Sequence, residues 1–285
     1  MSRIAYVNGR YLPTREASVN VEDRGYQFAD GVYEVCEVRD GKLVDAPRHL
    51  ARLQRSLGEL RITQPMPMPA LEFVMRETVR RNRVNYGLVY LQITRGVARR
   101  DHAFPLQKIA PSVVVTAKNL SYEKNQESAR KGIAVITTPE NRWPRVDIKS
   151  VSLLPNVLAK QAAREAGAYE AWFVDKEGFV TEGSSSNAWI VTADGRVITR
   201  KADNYILSGI TRAVLMNVLE ALQLRLEERP FTAAEACGAA EAFVTSASQI
   251  VMPVVKIDEH AIGAGRPGSV SIRLREEFHR FAHLS

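Results

Sequence analysis

Apolar residues recur along this chain at two spacings, every second residue and every third or fourth, and the changes from one to the other mark out its elements. Ile4 to Leu12 alternate around the turn dipeptide Asn8-Gly9 and predict a short hairpin. Glu22-Asp-Arg-Gly-Tyr-Gln-Phe-Ala-Asp-Gly-Val-Tyr-Glu-Val35 is a loop framed by two glycines that runs into a strand over Val32 to Val38. On that strand Tyr33 and Val35 share one face and Glu34 lies opposite, so the aromatic faces a core or a cavity. Asp40-Gly41 turns the chain, and Asp45 with Pro47 opens a helix striped by Leu50, Leu53, Leu57 and Leu60. His49 and Arg52 lie three apart on a neighbouring face and can point together into a cleft. Pro65 to Pro69 launches a second helix through Leu71, Val74, Met75 and Thr78, with Met66 and Met68 read as loop packing.

Gly87 to Thr94 and Pro111 to Ala117 predict strands that hold the loop Arg95 to Pro105 between them. Its Arg100-Asp101-His102 tip is either a solvated loop or a guanidinium and imidazole offered to a carboxylate. Lys118 to Ser128 is polar and without period, which predicts a linker over 119–128 between an N-terminal α/β domain, 1–118, and a C-terminal domain, 129–285. The second half then alternates strand and helix. Gly132 to Thr137 and Ala171 to Val174 read as strands, as do Ala188 to Val191 and Ala242 to Thr245. Leu154, Leu158, Ala162 and Ala166, stopped by Gly167, predict one helix; Val214, Leu215, Val218, Leu219 and Leu222 predict another, and Val270, Leu274, Phe278 and Phe281 a last, docking one.

Composition narrows the function classes. At 285 residues, with 45% hydrophobic and 25% charged residues, the chain has length for two cored domains of ordinary globular make-up. No apolar run reaches the roughly 20 residues of a membrane span, and Met1 to Arg10 lacks a signal-like apolar segment, so the cytoplasm is the expected compartment and no membrane partner is expected. Two cysteines, Cys36 and Cys237, cannot build a disulfide framework or a four-thiolate metal site, and no HExxH, Walker loop or GxGxxG occurs. A net charge of +7 raises the question of a nucleic-acid partner. The cations are scattered among acids, as in Arg275-Glu276-Glu277, and no aromatic ladder accompanies them, so a solvated face is the better reading.

The chemistry gathers around Asn141 to Asn156, whose centre is Lys149. Lying where a strand hands over to a helix, beside Ile148 and Val151, with Ser150 and Ser152 placed to receive the helix start, Lys149 is in a setting that can desolvate an amine and free it as a nucleophile toward carbonyl carbon. Thr181-Glu-Gly-Ser-Ser-Ser-Asn187 combines a fixed anion with many hydroxyl and N–H donors. Leu207-Ser-Gly-Ile-Thr-Arg212 opens a helix whose exposed N–H groups suit a phosphate, and Ser246-Ala-Ser248 is a second donor-rich turn that could close on the same phosphate. An activated lysine, a carboxylate, phosphate-ready loops and an arginine near a helix start are together what pyridoxal phosphate chemistry needs.

The motifs Glu22 to Val35, Asp147-Ile-Lys-Ser150, Thr181 to Asn187 and Gly209-Ile-Thr-Arg212 closely resemble the D-amino-acid aminotransferases, a branch of the fold-type-IV pyridoxal phosphate enzymes, and they occur in family order. The resemblance implies a mixed α/β, two-domain fold, a smaller N-terminal domain and a larger C-terminal one with the cofactor between them, and a homodimer in which the 95–105 loop reaches the neighbour's active site. It makes Lys149 the Schiff-base lysine and acid/base, and Glu182 the partner of the pyridine nitrogen. Arg52, Ile210, Thr211 and Ser246 become phosphate-binding, with Ala247 where the best-known members carry threonine. Tyr33, Arg100 and His102 match the group that traps the substrate α-carboxylate, with Val35 and His49 lining the same side. The implied activity is transfer of an amino group between D-amino acids and 2-oxo acids. Branched-chain aminotransferases, aminodeoxychorismate lyases and R-selective amine transaminases share the fold. The Glu-Gly-Ser-Ser-Ser-Asn loop and the Arg-Asp-His tip favour the D-amino-acid branch. A catalytically idle, anion-binding protein is opposed by the intact Lys149 and Glu182.

Overall fold

The computed structural model describes residues 3–285; Met1 and Ser2, with which the expected N-terminal domain begins, lie outside the described residues. The fold is mixed α/β, and its internal contacts divide it into two compact units. Unit 1 comprises Met1–Ser121, Ile148–Ser152 and His283–Ser285; unit 2 comprises Tyr122–Asp147 and Leu153–Ala282. Among the described residues no helix is long and apolar enough to cross a membrane.

Unit 1 runs β1 (Ile4–Val7), β2 (Arg10–Pro13), α1 (Arg24–Phe28), β3 (Gly31–Arg39), β4 (Lys42–Leu43), α2 (Ala46–Glu59), α3 (Met68–Arg81), β5 (Tyr86–Thr94) and β6 (Ser112–Asn119). Its six strands form an antiparallel sheet in the order β2-β1-β6-β5-β3-β4. The period of two along β3 decides its two faces. Val32, Cys36 and Val38 are sealed against Leu50, Leu53 and Leu57 of α2, and Val89, Leu91 and Ile93 of β5 join the same core. Tyr33 and Val35, on the other face, stay half-buried. Met66, in the loop, and Met68, the first residue of α3, pack against this core. The hairpin at Asn8-Gly9 has the positive φ angles, 45° and 94°, of the mirror-image turn that such a dipeptide favours.

Two sequence expectations change here. The polar stretch 119–128 is no linker: β6 continues to Asn119 and Tyr122 begins a helix, α4 (Tyr122–Lys131), whose Asn125 and Ala129 are buried. Polarity without an apolar stripe concealed it, because the helix buries an amide and a methyl instead of a row of leucines. The boundaries 1–118 and 129–285 also fail to describe the chain, since Ile148–Ser152 and the last three residues belong to unit 1. His283 N–H donates to Asp45 Oδ1 at 3.1 Å, and Leu43 and Ser285 exchange backbone hydrogen bonds.

Unit 2 continues with β7 (Ile133–Pro139), α5 (Leu154–Glu165), β8 (Glu170–Val174), β9 (Val180–Gly183), β10 (Asn187–Val191), β11 (Val197–Thr199), α6 (Ile210–Ala221), β12 (Leu226–Glu228), α7 (Ala233–Cys237), β13 (Glu241–Ser246), β14 (Ile250–Ile257), β15 (His260–Ala261) and α8 (Ser269–Phe281). The nine strands form one mixed sheet, β12-β11-β10-β13-β14-β7-β8-β9, with β15 paired to β14. Val214, Leu215, Val218 and Leu219 of α6 share a core with Leu274 and Phe278 of α8 and Trp189 and Phe243 of the sheet.

Helix α5 overturns its predicted face. Its buried residues are Ala159 and Ala163, packed on Ala171 and Phe173, whereas Leu154, Val157 and Leu158 are 59–68% exposed. Small side chains let the helix lie close to the sheet, and the larger apolar stripe is left outward. Nor do Ser150 and Ser152 cap it: the capping position is Leu153, with no side-chain bond. Adjacent substitutions should therefore differ. Ala163→Leu overpacks the helix–sheet contact and should cost about 1–3 kcal/mol, while Ala162→Leu, on the exposed face, should change stability by less than about 0.5 kcal/mol. Urea unfolding of the two variants measures this, and equal effects would reject the assigned face.

Candidate active site

Lys149 is held by unit 1. The segment around it pairs with the start of β3 as a short extra edge: Val32 bridges Ser150, Tyr33 N–H donates to Lys149 O at 2.9 Å, and Val151 N–H donates to Gly31 O at 3.0 Å. Ile148 is locked into the unit 1 core. With both neighbours fixed, the half-buried Lys149 side chain sets its Nζ 4.2 Å from the centroid of the Tyr33 ring. Tyr33 in turn stacks on Tyr90 of β5, centroids 5.6 Å apart. Val35 lies two residues along the same strand face.

The opposite face of β3 carries a group the sequence reading passed over. Glu34 is buried; its Oε1 accepts from Arg52 Nε at 2.8 Å, its Oε2 accepts from Arg52 Nη2 at 2.8 Å, and Oε2 also lies 2.7 Å from His49 Nδ1. His49 and Arg52 do point together, as their spacing predicted, but onto this carboxylate beneath β3. Burial alone would raise the Glu34 carboxyl, yet the charge and hydrogen bonds of Arg52, with the bond to His49, bring it down to about 2. His49 is pushed below its ordinary value because burial outweighs the pull of Glu34. The signal was available: a glutamate one position off the aromatic face, opposite a helix with His and Arg three apart.

In unit 2 the centre is Asn187, at the first position of β10. Its Nδ2 donates to Glu182 Oε2 at 2.9 Å and to Leu207 O at 2.9 Å, and Leu207 N–H donates to the same Glu182 oxygen at 3.1 Å. Glu182 Oε1 takes Arg142 Nη1 at 2.5 Å; Arg142 also pairs with Glu140 and lies over the Phe173 ring. A Cβ on Gly209 would collide with Asn187 Oδ1, so only glycine lets the start of α6 approach this closely. Across the sheet Asn187 pairs with Thr245, and the turn Ser246-Ala247-Ser248 follows at once, its two hydroxyls 3.3 Å apart. Glu182, the N–H groups at Ile210 and Thr211, and Ser246 with Ala247 are thus gathered at one end of the sheet. Sequence reading missed the roles of Arg142 and Asn187, although both lie in stretches it singled out.

The hydroxyl donors of the serine-rich loop are turned inward. Ser184, Ser185 and Ser186 all donate their hydroxyls to buried Glu170, Ser185 at 2.8 Å and Ser186 at 3.1 Å. These hydroxyls brace the turn between Glu182 and Asn187. Arg100 and His102 form a further cluster in unit 1, both exposed, with the Arg100 guanidinium carbon 4.7 Å and the His102 ring 5.3 Å from the centre of the Phe28 ring.

Residues 31–257 match the model of the family described as Amino-transferase class IV. This chain belongs to the class IV aminotransferases. The aminotransferase is similar to a D-alanine aminotransferase of Staphylococcus haemolyticus, 40% identical over 277 residues that cover 97% of this chain and 96% of that protein. It is also similar to one of Bacillus licheniformis, 40% identical over 264 residues covering 93% and 92%. Among solved structures it resembles a branched-chain amino acid aminotransferase of T.th. with pyridoxamine 5'-phosphate, with a TM-score of 0.89, 28% identity, and coverage of 98% of this chain and 94% of that one. A branched-chain enzyme of Escherichia coli shares the fold, with a TM-score of 0.88 at 22% identity and coverage of 98% and 94%.

The Glu34 network gives the aminotransferase an acid-sensitive joint. Its carboxyl is held at about 2 in the folded protein against an ordinary 4.5, so the folded state takes up this proton later than the unfolded chain. The stabilisation is complete above pH 4.5 and is lost as pH falls through 2; His49, held below 6.5, adds a loss that begins below that pH. The unfolding free energy should therefore fall with acid through this window. Arg52→Met, which strands the buried carboxylate, should lower it by about 3–5 kcal/mol at neutral pH and flatten its acid limb. Urea titrations across the pH range test both, and a flat wild-type profile would contradict the assignment.

Proposed function

We propose that this class IV aminotransferase uses pyridoxal 5'-phosphate to move amino groups between D-amino acids, such as D-alanine, and 2-oxo acids, such as 2-oxoglutarate. The observation that carries the reading is the convergence on Asn187 of an ion-paired carboxylate, Glu182, and two N–H- and hydroxyl-bearing turns. That donor set fits a group with a protonated ring nitrogen and a phosphate. The choice of D-amino acids is supported by the near-full-length similarity to proteins named D-alanine aminotransferase. The pyridoxamine 5'-phosphate held by the similar T.th. enzyme supports the choice of cofactor.

Bound pyridoxal phosphate supplies an electron sink that lets the Cα–H bond of an amino acid break. Lys149 Nζ would be the amine that holds the cofactor through its aldehyde and, as a free amine, would move the proton at the substrate Cα. Glu182 accepts from the ring N–H, with Arg142, Asn187 and Leu207 fixing its two oxygens. Ile210 and Thr211 at the start of α6, with Ser246 and the Ala247 N–H, receive the phosphate, and Arg52, oriented by Glu34, adds positive charge. Tyr33, Arg100 and His102 bind the substrate carboxylate, with Val35 on the same strand face as Tyr33, while His49 is turned onto Glu34 and supports the site from beneath β3. A carboxylate fixed by these residues would leave a single enantiomer able to aim its Cα–H at Lys149. The outward apolar stripe Leu154, Val157 and Leu158 is the kind of surface that a second copy covers, which supports a homodimer.

Borohydride reduction of the loaded enzyme, followed by peptide mapping, tests the reading. The pyridoxyl label should fall on the Lys149 peptide alone, and Lys149→Ala should lose the label and at least about 10³-fold in transamination rate. Label on another lysine would move the active site.

A further inference from the structure

Unit 1 contains a buried ionic cluster that the reaction chemistry does not use. Asp30 is shared by two guanidiniums: its Oδ2 takes Arg24 Nε at 2.8 Å and Arg95 Nε at 2.7 Å, and its Oδ1 takes Arg95 Nη2 at 3.0 Å. Arg24 is 3% and Arg95 8% exposed. Two buried cations on one carboxylate need further acceptors. Arg95 finds the carbonyls of Leu60 at 2.7 Å and Arg61 at 3.0 Å, just beyond α2, and lies 3.6 Å from the Phe104 ring centre. Arg24 finds three successive carbonyls of the loop tip, Asp101 at 2.6 Å, His102 at 3.4 Å and Ala103 at 3.3 Å. Arg24 also lies 4.8 Å from the centre of the Phe28 ring that carries Arg100 and His102.

We propose that Arg24 is a positioning residue for substrate binding: its guanidinium, anchored on Asp30, sets the shape of the loop that presents Arg100 and His102 to the substrate carboxylate. This rests on the assignment of Arg100 and His102 made above. An exposed tip with polar side chains has little apolar burial of its own to fix it, whereas three consecutive carbonyls turned onto one buried cation leave the backbone at 101–103 few alternatives. A binding group displaced by a fraction of its hydrogen-bond length loses most of that bond. Arg24 thereby acts through Arg100, without touching substrate.

A double-mutant cycle on the holoenzyme tests this, with KM for D-alanine and kcat measured in the parent, Arg24→Met, Arg100→Ala and the double variant. Asp30 keeps Arg95 as its partner in Arg24→Met, so no buried carboxylate is stranded, and the loop carbonyls are near enough to solvent to take water. Arg24→Met should raise KM about tenfold while kcat at saturating D-alanine falls less than about threefold, with the absorbance of the bound cofactor unchanged. In the Arg100→Ala background the same change should raise KM by less than about twofold, because the group it positions is gone. Arg24→Lys, which keeps the ion pair but cannot span three carbonyls, should fall between, and carries the same cycle if Arg24→Met fails to fold. An unchanged KM in Arg24→Met, or the same KM rise in both backgrounds, would overturn the proposal. An unchanged KM in Arg100→Ala alone would instead reject the carboxylate assignment on which it stands.

Discussion

The ion pair between Glu34 and Arg52 is the constraint on which unit 1 depends. A carboxylate sealed beneath a sheet is tolerable only when its charge is matched and its lone pairs are taken, and here both conditions are met by α2. The pair fixes the helix on β3 at one register. Because side chains on a strand alternate, fixing Glu34 downward fixes Tyr33 and Val35 upward. Lys149 then meets the Tyr33 ring because its own backbone is zipped to the start of that strand. The backbone that carries Lys149 is thus held by the strand whose register this salt bridge fixes.

Unit 2 meets a similar demand by adding neutral donors to its ion pairs. One amide, Asn187, joins the Glu182 carboxylate, the loop before α6 and the strand that leads into the Ser246 turn. The triple-serine turn is braced from below by Glu170, so the carboxylate at one end and the amide at the other are held by buried hydrogen bonds, where each broken bond is costly. Such networks give fixed positions to polar groups that a ligand must find already in place. Arg142 completes the arrangement by bridging Glu140 and Glu182 in a largely buried site.

Much of this was legible in the sequence, for physical reasons that differ by element. Strands β3 and β5 and helices α2, α3 and α6 announced themselves because their buried faces are rows of large apolar residues at a fixed period. The helix α4 was hidden because it buries Asn125 and Ala129, and α5 was read on its wrong face because its contact is made by alanines while its leucines look outward. The motifs at Lys149, Glu182 and Ile210 were recognisable as short strings. Of the residues that hold them, Glu34 could be found from its place opposite His49 and Arg52, but Arg142 and Glu170 could not, since they are matched to partners 40 and 14 to 16 residues away. Long-range polar pairing leaves no period to read.

The central claim is that these two polar frameworks serve amino transfer from D-amino acids. A half-reaction screen measures it most directly: the loaded enzyme is mixed with single D- and L-amino acids in the absence of any 2-oxo acid, and the change in cofactor absorbance is followed. Rapid, complete conversion by D-alanine and none by L-leucine or L-valine is the expected result. Faster conversion by the L-branched-chain amino acids would contradict the account and assign the chain to the branched-chain reaction.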